Sequence, residues 1–363
     1  QGTLALDNAN ALGGGGVLTF GGGTLRYSSN NTSDVSARIT NSSGAISIDT
    51  SGQNVTWASA LDASNTNGLT KQGAGTLTLT TANNYTGATA VNGGTLAISA
   101  ANQLSSGSLS IGNATLLSLS NSYTLATTST ITLTGAGTIA AQSGTLSMSN
   151  IANGGNMLTF GGNGNIAVNG VISGTGGMTK TGTGTLILTG ANTFLGPVFL
   201  TEGAFRVSGN TAGFTNVAPG VSTVSAGASI LVEGGVVRGR PLLLNGNGVG
   251  GEGAWRNLSG NNVQVGTVTL GSNTRIGSDA DTLTLSNTMF GTNFTLTVGG
   301  AGGVRLNALA LGTDATIIKD GTGTLTLAGA SDHENTTVQS GQINVNSVLA
   351  LGSSTGGTVT FSN

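Results

Sequence analysis

The sequence predicts an all-β protein, a parallel β-helix (β-solenoid) with about 20 residues in each turn. Three observations predict it. Apolar residues alternate with threonine and serine over short stretches, these stretches begin at nearly regular intervals, and glycine is abundant. The 363 residues include 64 glycines, far more than the usual ~7%.

The short alternating stretches predict half-buried strands. In "TLTLT" (76–80), Leu77 and Leu79 share one face and the threonines the other. Alternation of aliphatic and β-branched residues, bounded by Gly, Asn and Ser, is typical of strands. The same alternation recurs in "TLAIS" (95–99), "LLSLS" (116–120), "TLSMS" (145–149), "TLILT" (185–189), "TLTLS" (282–286) and "FTLTV" (294–298).

The spacing of the strands favours a solenoid over a propeller. The predicted strands start roughly 20 residues apart, and fixed periods of about 20–50 residues indicate repeat folds. A propeller blade needs ~40–45 residues and carries aromatic signatures, whereas aromatic residues make up 4% of this chain. The predicted starts are Val17, Ala37, Val55, Thr76, Thr95, Leu116, Thr324 and Ile343.

Glycine and asparagine suit the corners between strands. Glycine adopts positive φ freely and asparagine tolerates it. We therefore expect Gly87 and Gly196 to lie at corners with positive φ or close backbone packing. The glycines do not follow a three-residue period and there are only three prolines, which excludes collagen.

One unit of about 30 residues occurs three times. It reads "LTKQGAGTLTLTTANNYTGATAVNGGTLAIS" at 69–99, and altered copies occupy 178–208 and 317–346. We expect its leucines, including Leu77 and Leu96, to be buried. The matching repeat positions are Lys71, Gly73, Gly75 and Leu77 in the first copy, Lys180, Gly182, Gly184 and Leu186 in the second, and Lys319, Gly321, Gly323 and Leu325 in the third.

The chain has three lysines, and all of them occupy the same repeat position. Strand parity turns this side chain inward at the end of a strand, just before glycine. One interpretation is a corner cap, in which the aliphatic stem lies along the core and the ammonium donates to carbonyls of the turn. The alternative is a solvated charge kept by repeat duplication. A chemical role lacks a neighbouring partner group.

The stretch "GAGTLTLTTANNYTGATAVNGGTLAIS" (73–99) resembles the passenger-associated transport repeat, also called the autotransporter-associated β-strand repeat. The Gly-x-Gly-Thr-Leu core and the Asn-x-Tyr/Phe-x-Gly element carry the resemblance. It is strongest at 69–112, 178–208 and 317–361, with a partial copy at 1–28. The resemblance implies a right-handed parallel β-helix, secreted or on the cell surface of a bacterium, at a Gram-negative outer surface.

The simplest domain layout is a single β-helix of such repeats over residues 1–363. Residues 209–275 are less regular and contain Pro241, Trp255 and three of the arginines between 235 and 260. We expect one or two turns with a longer loop there, or alternatively a binding protrusion.

Charge and composition exclude several classes. Eleven basic and thirteen acidic residues give a net charge of −2, which argues against nucleic acid as a partner. No apolar run approaches the ~20 residues of a membrane helix, so we expect no membrane insertion by this segment. One histidine and no cysteine predict no metal site, and we expect no cofactor.

Catalytic residues are scarce. We expect the single histidine, His333, to lie in an exposed loop, where it could be an acid–base or metal group only with help from elsewhere. Asp279 and Asp281 are the nearest pair of acids, the kind of pair that cleaves glycosidic bonds. Thirteen scattered acids make a clustered active site improbable, so we expect no enzyme.

A non-enzymatic extracellular solenoid, as a stalk, fibre or adhesin-type passenger, is therefore the expected function. The alternatives are a β-helical protein that binds or cleaves polysaccharide and an ice-binding solenoid, since Thr-x-Thr pairs such as Thr76 and Thr78 recur. Both ends lie in the repeat pattern, so we expect end-to-end filaments or flanking repeats of a longer chain. Partners are then other copies, flanking repeats, or surface glycans.

Overall fold

A computed structural model describes residues 2–125, 130–209, 220–352 and 357–362. The chain is all-β and forms a parallel β-solenoid of about 16 turns, each about 21 residues long. The predicted fold class and turn length are thus confirmed. Two compact units, residues 1–177 and 178–363, are described separately, and the prediction of one continuous domain over 1–363 stays a prediction.

The first unit consists of short strands. They are β1 (Thr3–Ala5), β2 (Thr24–Arg26), β3 (Ile46–Asp49), β4 (Asn54–Trp57), β5 (Leu69–Gln72), β6 (Thr76–Leu79), β7 (Thr89–Ile98), β8 (Leu109–Ser118), β9 (Tyr123–Thr124), β10 (Ile131–Leu133), β11 (Gly137–Ala141), β12 (Thr145–Met148), β13 (Ile151–Gly154), β14 (Leu158–Gly161), β15 (Asn165–Val168) and β16 (Ile172–Gly174).

The second unit is built in the same way. Its strands are β17 (Met178–Lys180), β18 (Thr185–Leu188), β19 (Val198–Leu200), β20 (Ala204–Ser208), β21 (Ser222–Val224), β22 (Ser229–Glu233), β23 (Val237–Arg238), β24 (Leu242–Gly246), β25 (Trp255–Ser259), β26 (Asn262–Gln264), β27 (Val268–Ser278), β28 (Thr282–Phe290), β29 (Thr295–Gly299), β30 (Gly303–Ala310), β31 (Thr316–Lys319), β32 (Thr324–Leu327), β33 (Asn335–Val338), β34 (Gln342–Val345) and β35 (Val359–Phe361).

Helical structure among the described residues is limited to single turns of 3₁₀-helix. These are Ser36–Arg38, Ala101–Gln103 and Val249–Gly251. No helix in the described part of the chain has the length and apolar character to cross a membrane.

Strands of successive turns pair in parallel and form ladders. In the first unit, ladder A runs through β1, β2, β3, β5, the starts of β7 and β8, β10, β13 and β16. Ladder B runs through β4, β6, the ends of β7 and β8, β11 and β14. Ladder C joins β9, β12 and β15.

The second unit also has three ladders. Ladder D runs through β17, β19, β21, β24, the start of β27 and the ends of β28 and β30. Ladder E runs through β18, β20, β22, β25, the end of β27, β29, β31, β33 and β35. Ladder F runs through β23, β26, the starts of β28 and β30, β32 and β34.

Register places apolar side chains in columns. Leu77 pairs with Leu96, and Leu96 pairs with Leu116. Each of these side chains is fully buried, as are Leu186 and Leu325 in the later copies. The predicted inward face of the repeat strands is therefore confirmed. Because each turn covers the apolar residues of its neighbours, the core extends along each unit instead of forming a central cluster.

Glycine at a corner permits contact between turns. Gly87 has φ +88°, and a Cβ added there would lie 2.8 Å from the backbone nitrogen of Gly68. Gly196 lies against Gly220, whose added Cβ would come within 3.1 Å of the Gly196 carbonyl carbon. Both glycines occur where the backbones of successive turns approach closely, as expected from their repeat position.

Turn length is not constant. The shortest step joins Thr324 to Gln342, and the longest joins Gly246 to Thr274. Within the less regular segment 209–275, residues 220–275 contribute strands to all three ladders of the second unit, and the 3₁₀ turn Val249–Gly251 lies in its longest step. Residues 210–219 lie outside the described part.

Candidate functional site

The repeated lysine is the last residue of a ladder strand in the second and third copies and the last but one in the first. In β5, Leu69 and Lys71 point inward while Thr70 points outward, as alternation requires. Lys71, Lys180 and Lys319 are no more than 3% exposed. The glycine two residues after the lysine, Gly73 in the first copy, has φ +65° and turns the chain out of the strand. The carbonyls of this turn consequently face the lysine.

Each ammonium donates to three backbone carbonyls. Lys71 Nζ lies 2.8 Å from the oxygens of Gln72 and Gly73 and 3.0 Å from the oxygen of Gly93 in the next turn. An ammonium has three protons, so every donor is used. This is the arrangement of a corner cap, and the alternative of a solvated surface charge is wrong.

The other two copies repeat the bonds position by position. Lys180 Nζ lies 2.7 Å from the Thr181 oxygen, 2.5 Å from that of Gly182 and 3.4 Å from that of Glu202. Lys319 Nζ lies 2.5 Å from the oxygen of Asp320, 2.7 Å from that of Gly321 and 3.3 Å from that of Ser340. Each lysine therefore links its own corner to the following turn.

A glycine of the following turn closes each lysine site. A Cβ added to Gly94, which has φ +60°, would lie 2.3 Å from the Gly75 oxygen and 2.9 Å from Lys71 Nζ. A Cβ on Gly341 would meet Gly323 O at 2.5 Å and Lys319 Nζ at 2.8 Å. The corner thus requires glycine both for its conformation and for the space beside the ammonium.

Burial opposes the lysine charge. It lowers the pKa of Lys71 to about 8, with the Asp49 carboxylate acting in the opposite direction. It lowers the pKa of Lys180 to about 8 as well, against the influence of Glu202. The pKa of Lys319 is also lowered by burial. With pKa values of about 8, Lys71 and Lys180 remain mostly protonated at pH 7, which their carbonyl partners require.

The remaining repeat positions hold the lysine in place. Leu77, Leu186 and Leu325 follow the corner and are buried in the core. Gly182 and Gly321 have φ +70° and +71° and are the counterparts of Gly73. The second glycine of the Gly-x-Gly pair packs against the preceding turn in the first and third copies. A Cβ added to Gly75 would lie 2.2 Å from the Gln53 oxygen, and one added to Gly323 would lie 1.9 Å from the Gly302 oxygen. Gly184 is the residue before β18.

A buried ring occupies the aromatic position of the repeat. The Tyr85 hydroxyl lies 2.7 Å from Thr89 Oγ1, at the start of β7. In the third copy, His333 Nε2 lies 2.7 Å from Thr336 Oγ1, and His333 Nδ1 bonds to Ser331 Oγ. The second copy has Phe194 and, at the threonine position, Val198. The polar tip and its hydroxyl partner are thus present together or replaced together.

The expectation for His333 was wrong. Its side chain is fully buried, and burial lowers its pKa to about 4, with Asp332 acting in the opposite direction. It is buried because it fills the space of the repeat aromatic, a role that the flanking acids in "SDHEN" concealed. The alignment of His333 with Tyr85 and Phe194 was the signal that could have shown it.

Two buried arginines were not anticipated as core residues. Arg240 lies 4.7 Å from the centre of the Phe194 ring and donates to the oxygens of Phe194 and Gly196, both at 2.5 Å. Arg238 donates to Ser222 Oγ at 2.8 Å. Burial lowers the pKa of Arg238 to about 9, helped by the neighbouring Arg240, and that of Arg240 to about 10. Strand parity with buried Val236 was the available signal.

The two acids considered for catalysis, Asp279 and Asp281, make structural contacts. Arg256 Nε donates to both carboxylate oxygens of Asp279, each at 2.9 Å. Asp281 accepts from the Gly260 nitrogen at 2.7 Å. In the described part of the chain, no group of three or more His, Cys, Asp or Glu side chains could hold a metal ion. These acids therefore stabilise turns and contacts between turns.

Threonines form an outward column in the first unit. Thr76 pairs with Thr95, Thr95 with Thr115, Thr115 with Thr138, and Thr138 with Thr159. All are half-buried. The residue two positions further along each strand is Thr78 in the first turn but Ala97, Leu117 and Ala140 in later turns. Threonine pairs are consequently not aligned along this face.

Comparison with known families identifies the repeat. The passenger-associated-transport-repeat model matches residues 69–98, 178–207 and 317–345. An adhesin, the BmaC autotransporter of Brucella suis biovar 1 (strain 1330), is 36% identical over 109 residues, which cover 27% of this chain. The matched part spans only 3% of that protein's length. No solved structure is significantly similar to the chain.

Proposed function

We propose that the chain, which carries three passenger-associated transport repeats, is a non-enzymatic, mechanically stable part of an adhesin-type surface passenger. The lysine corner carries the proposal. It occurs three times with the same carbonyl positions as partners: two donors hold the lysine's own corner, and the third joins that corner to the following turn. The residues of this site hold turns together and offer no reactive group to a substrate.

The proposed location follows from the same repeats. Passenger repeats and the similarity to a protein named as an adhesin autotransporter imply a secreted or cell-surface bacterial protein. We propose the outer surface of a Gram-negative bacterium. A chain without cysteine does not depend on disulfides there, and backbone bonds between turns supply the stability.

Three measurements test this function. Antibodies against the chain should label intact source bacteria, and protease treatment of intact cells should remove the label. Fab fragments of these antibodies, bound to the chain on intact cells, should lower the adhesion of the bacteria to surfaces. A signal found only after lysis would contradict the location. The purified chain should release no reducing sugar from neutral or acidic polysaccharides, and sustained release would contradict the non-enzymatic role.

End-to-end assembly into filaments, or contact with flanking repeats, stays part of the proposal. Both terminal strands, β1 and β35, are exposed, and Leu4 and Phe361 are 56% and 80% exposed. Exposed strand edges and apolar side chains can template pairing with another copy. Sedimentation and electron microscopy of the chain at rising concentration should show elongated particles. Monomers at every concentration would contradict assembly.

Ice binding is a second candidate, favoured by the threonine column of Thr76, Thr95, Thr115, Thr138 and Thr159. Regularly spaced hydroxyl and methyl groups along one column can order water. The chain should then show thermal hysteresis, and Thr115→Arg in the middle of the column should abolish it. Absence of hysteresis in the wild-type chain would remove this candidate.

A further inference from the structure

Ladder D of the second unit displays an apolar strip on its outer face. Phe199 and Phe290 are 40% and 44% exposed, and Leu243 between them is half-buried. Their strand neighbours on either side, such as Val198 and Leu200, are buried. The three side chains therefore point away from the core, and core packing does not explain them.

Register aligns the strip along the ladder. Phe199 pairs with Thr223, Thr223 with Leu243, Leu243 with Thr269, and Thr269 with Phe290. An apolar side chain thus occurs at every second strand, with threonine on the strand between. Adjacent strands are about 4.8 Å apart, so the apolar groups repeat at about 9.6 Å.

We propose that this apolar strip, Phe199, Leu243 and Phe290 with Thr223 and Thr269, binds an uncharged, extended β-1,4-linked polysaccharide. The spacing of about 9.6 Å is close to the length of one disaccharide unit in such a chain. Apolar side chains can cover the C–H faces of alternate sugar rings, and threonine hydroxyls can bond to the hydroxyls between them. The inference deepens the proposed function by naming a ligand class, and it rests on that function.

Charge separates the strip from the adjoining ladder. The described strand segments of ladder D between Val198 and Phe290 place no charged side chain on their outer face. The ion pairs described in this unit all have their arginine on ladder E: Arg206 with Glu233, Arg256 with Glu252 and Asp279, and Arg275 with Asp320. An uncharged surface matches a neutral glycan better than an acidic one.

The narrowness of the strip argues against a second protein as occupant. Stable protein interfaces bury about 800 Å² on each partner around a continuous apolar centre. Here threonine interrupts the apolar groups at every other strand, and Val221, 45% exposed, widens the strip only beside Phe199. A single extended glycan chain needs no wider surface.

Binding of cello-oligosaccharides to the full 363-residue chain tests the proposal by calorimetry. Cellohexaose should bind, whereas α-linked maltohexaose and acidic oligogalacturonate should bind at least tenfold more weakly. Phe199→Thr and Phe290→Thr each extend the threonine pattern of the ladder, and each should weaken cellohexaose binding at least tenfold. Ile318→Thr, at an outward-facing residue of ladder E that pairs with Thr297 and Thr337, is the matched control and should bind as the wild type does.

Several results would overturn the proposal. No cellohexaose binding, equal binding of all three sugars, or variants that bind like wild type would each do so. Loss of self-association in Phe199→Thr, measured by sedimentation, would assign the strip to a second copy instead. Circular dichroism and the melting temperature must match wild type for the variants to count, and Phe290→Thr provides an independent test if Phe199→Thr fails to fold. If the chain is labelled on intact cells and Fab fragments lower adhesion, but the chain binds no glucan, the proposed function stands and this inference alone is rejected.

Discussion

The first and third repeat copies share one lysine corner but differ in the ring at the aromatic position of the repeat. Tyr85 and His333 are both buried, and each places a polar tip 2.7 Å from the hydroxyl of a threonine that begins, or lies in, the next strand of the ladder. Together with the buried Phe194 of the second copy, the comparison shows that this position takes a ring of suitable size, and that a polar ring atom is paired where there is one. The chemical identity of that ring is free to vary.

This difference changes how the two copies respond to pH. Burial raises the pKa of Tyr85, so its hydroxyl stays protonated at neutral and acidic pH. Burial lowers the pKa of His333 to about 4, so the imidazole is neutral at pH 7 and gains a proton only in acid. Packing that is equivalent at neutral pH is therefore not equivalent below it.

The largest expected effect is common to both copies. Leu77→Ala and Leu325→Ala each remove a fully buried side chain and should each lower the free energy of unfolding by about 2–5 kcal/mol. Chemical denaturation with two spectroscopic probes measures the loss. Thr326→Ala, on the outer face of β32, is the control and should cost much less. An equal loss in the control would contradict the assignment of faces.

Removal of the ammonium should have the next largest effect. Lys71→Met and Lys319→Met keep an apolar stem but leave three carbonyls without their donor. Each should cost about 1–3 kcal/mol, the range for buried groups left unpaired. Unchanged stability in both variants would show that water or a rearranged corner replaces the lysine.

A pH series gives the lysine prediction a second readout. The folded-state pKa of Lys71 is about 8, below the ordinary ~10.4 of lysine. Between these values the unfolded chain binds more protons than the folded chain, so stability should rise with pH across that window. Lys71→Met should show a smaller rise. The same slope in both proteins would contradict the lowered pKa.

The hydroxyl pair of the first copy should contribute less. Tyr85→Phe and Thr89→Val each remove one partner of a buried hydrogen bond and should each cost about 1 kcal/mol. The double variant reproduces the Phe194–Val198 pair of the second copy and should cost less than the sum of the single changes. Strict additivity would show that the two hydroxyls do not depend on each other.

Much of this architecture was accessible from the sequence, because it depends on local alternation and repetition. Leu77 and Lys71 could be placed from strand parity and from the repeat alignment. His333 could not be placed from its neighbours, since its burial depends on a pocket made by the repeat as a whole. The apolar strip of Phe199, Leu243 and Phe290 depends on which turns are long, and sequence spacing does not reveal that register.

The last expected effect, which is present only in acid, is the pH sensitivity of the third copy. The unfolded chain should protonate His333 near the ordinary pKa of ~6.5, whereas the folded chain does so at about 4. The unfolded state therefore binds the extra proton between these values. Stability at this position should be fully present above pH 6.5 and should fall as the pH drops toward 4. Asp332 and Glu334 flank the ring, and Asp332 accepts from the nitrogens of Leu311 and Gly312.

Hydrogen exchange at pH 7 and pH 5 separates this effect from general acid sensitivity. Protection of the Thr336 amide should decrease at pH 5 relative to that of Thr89, after correction for intrinsic exchange rates. In the double variant His333→Phe, Thr336→Val, which copies the second repeat, the amide of residue 336 should lose this extra decrease, because the carboxylates are unchanged while the imidazole and its hydroxyl partner are both gone. An equal decrease in wild type and variant would assign the effect to the carboxylates and reject the histidine as its source.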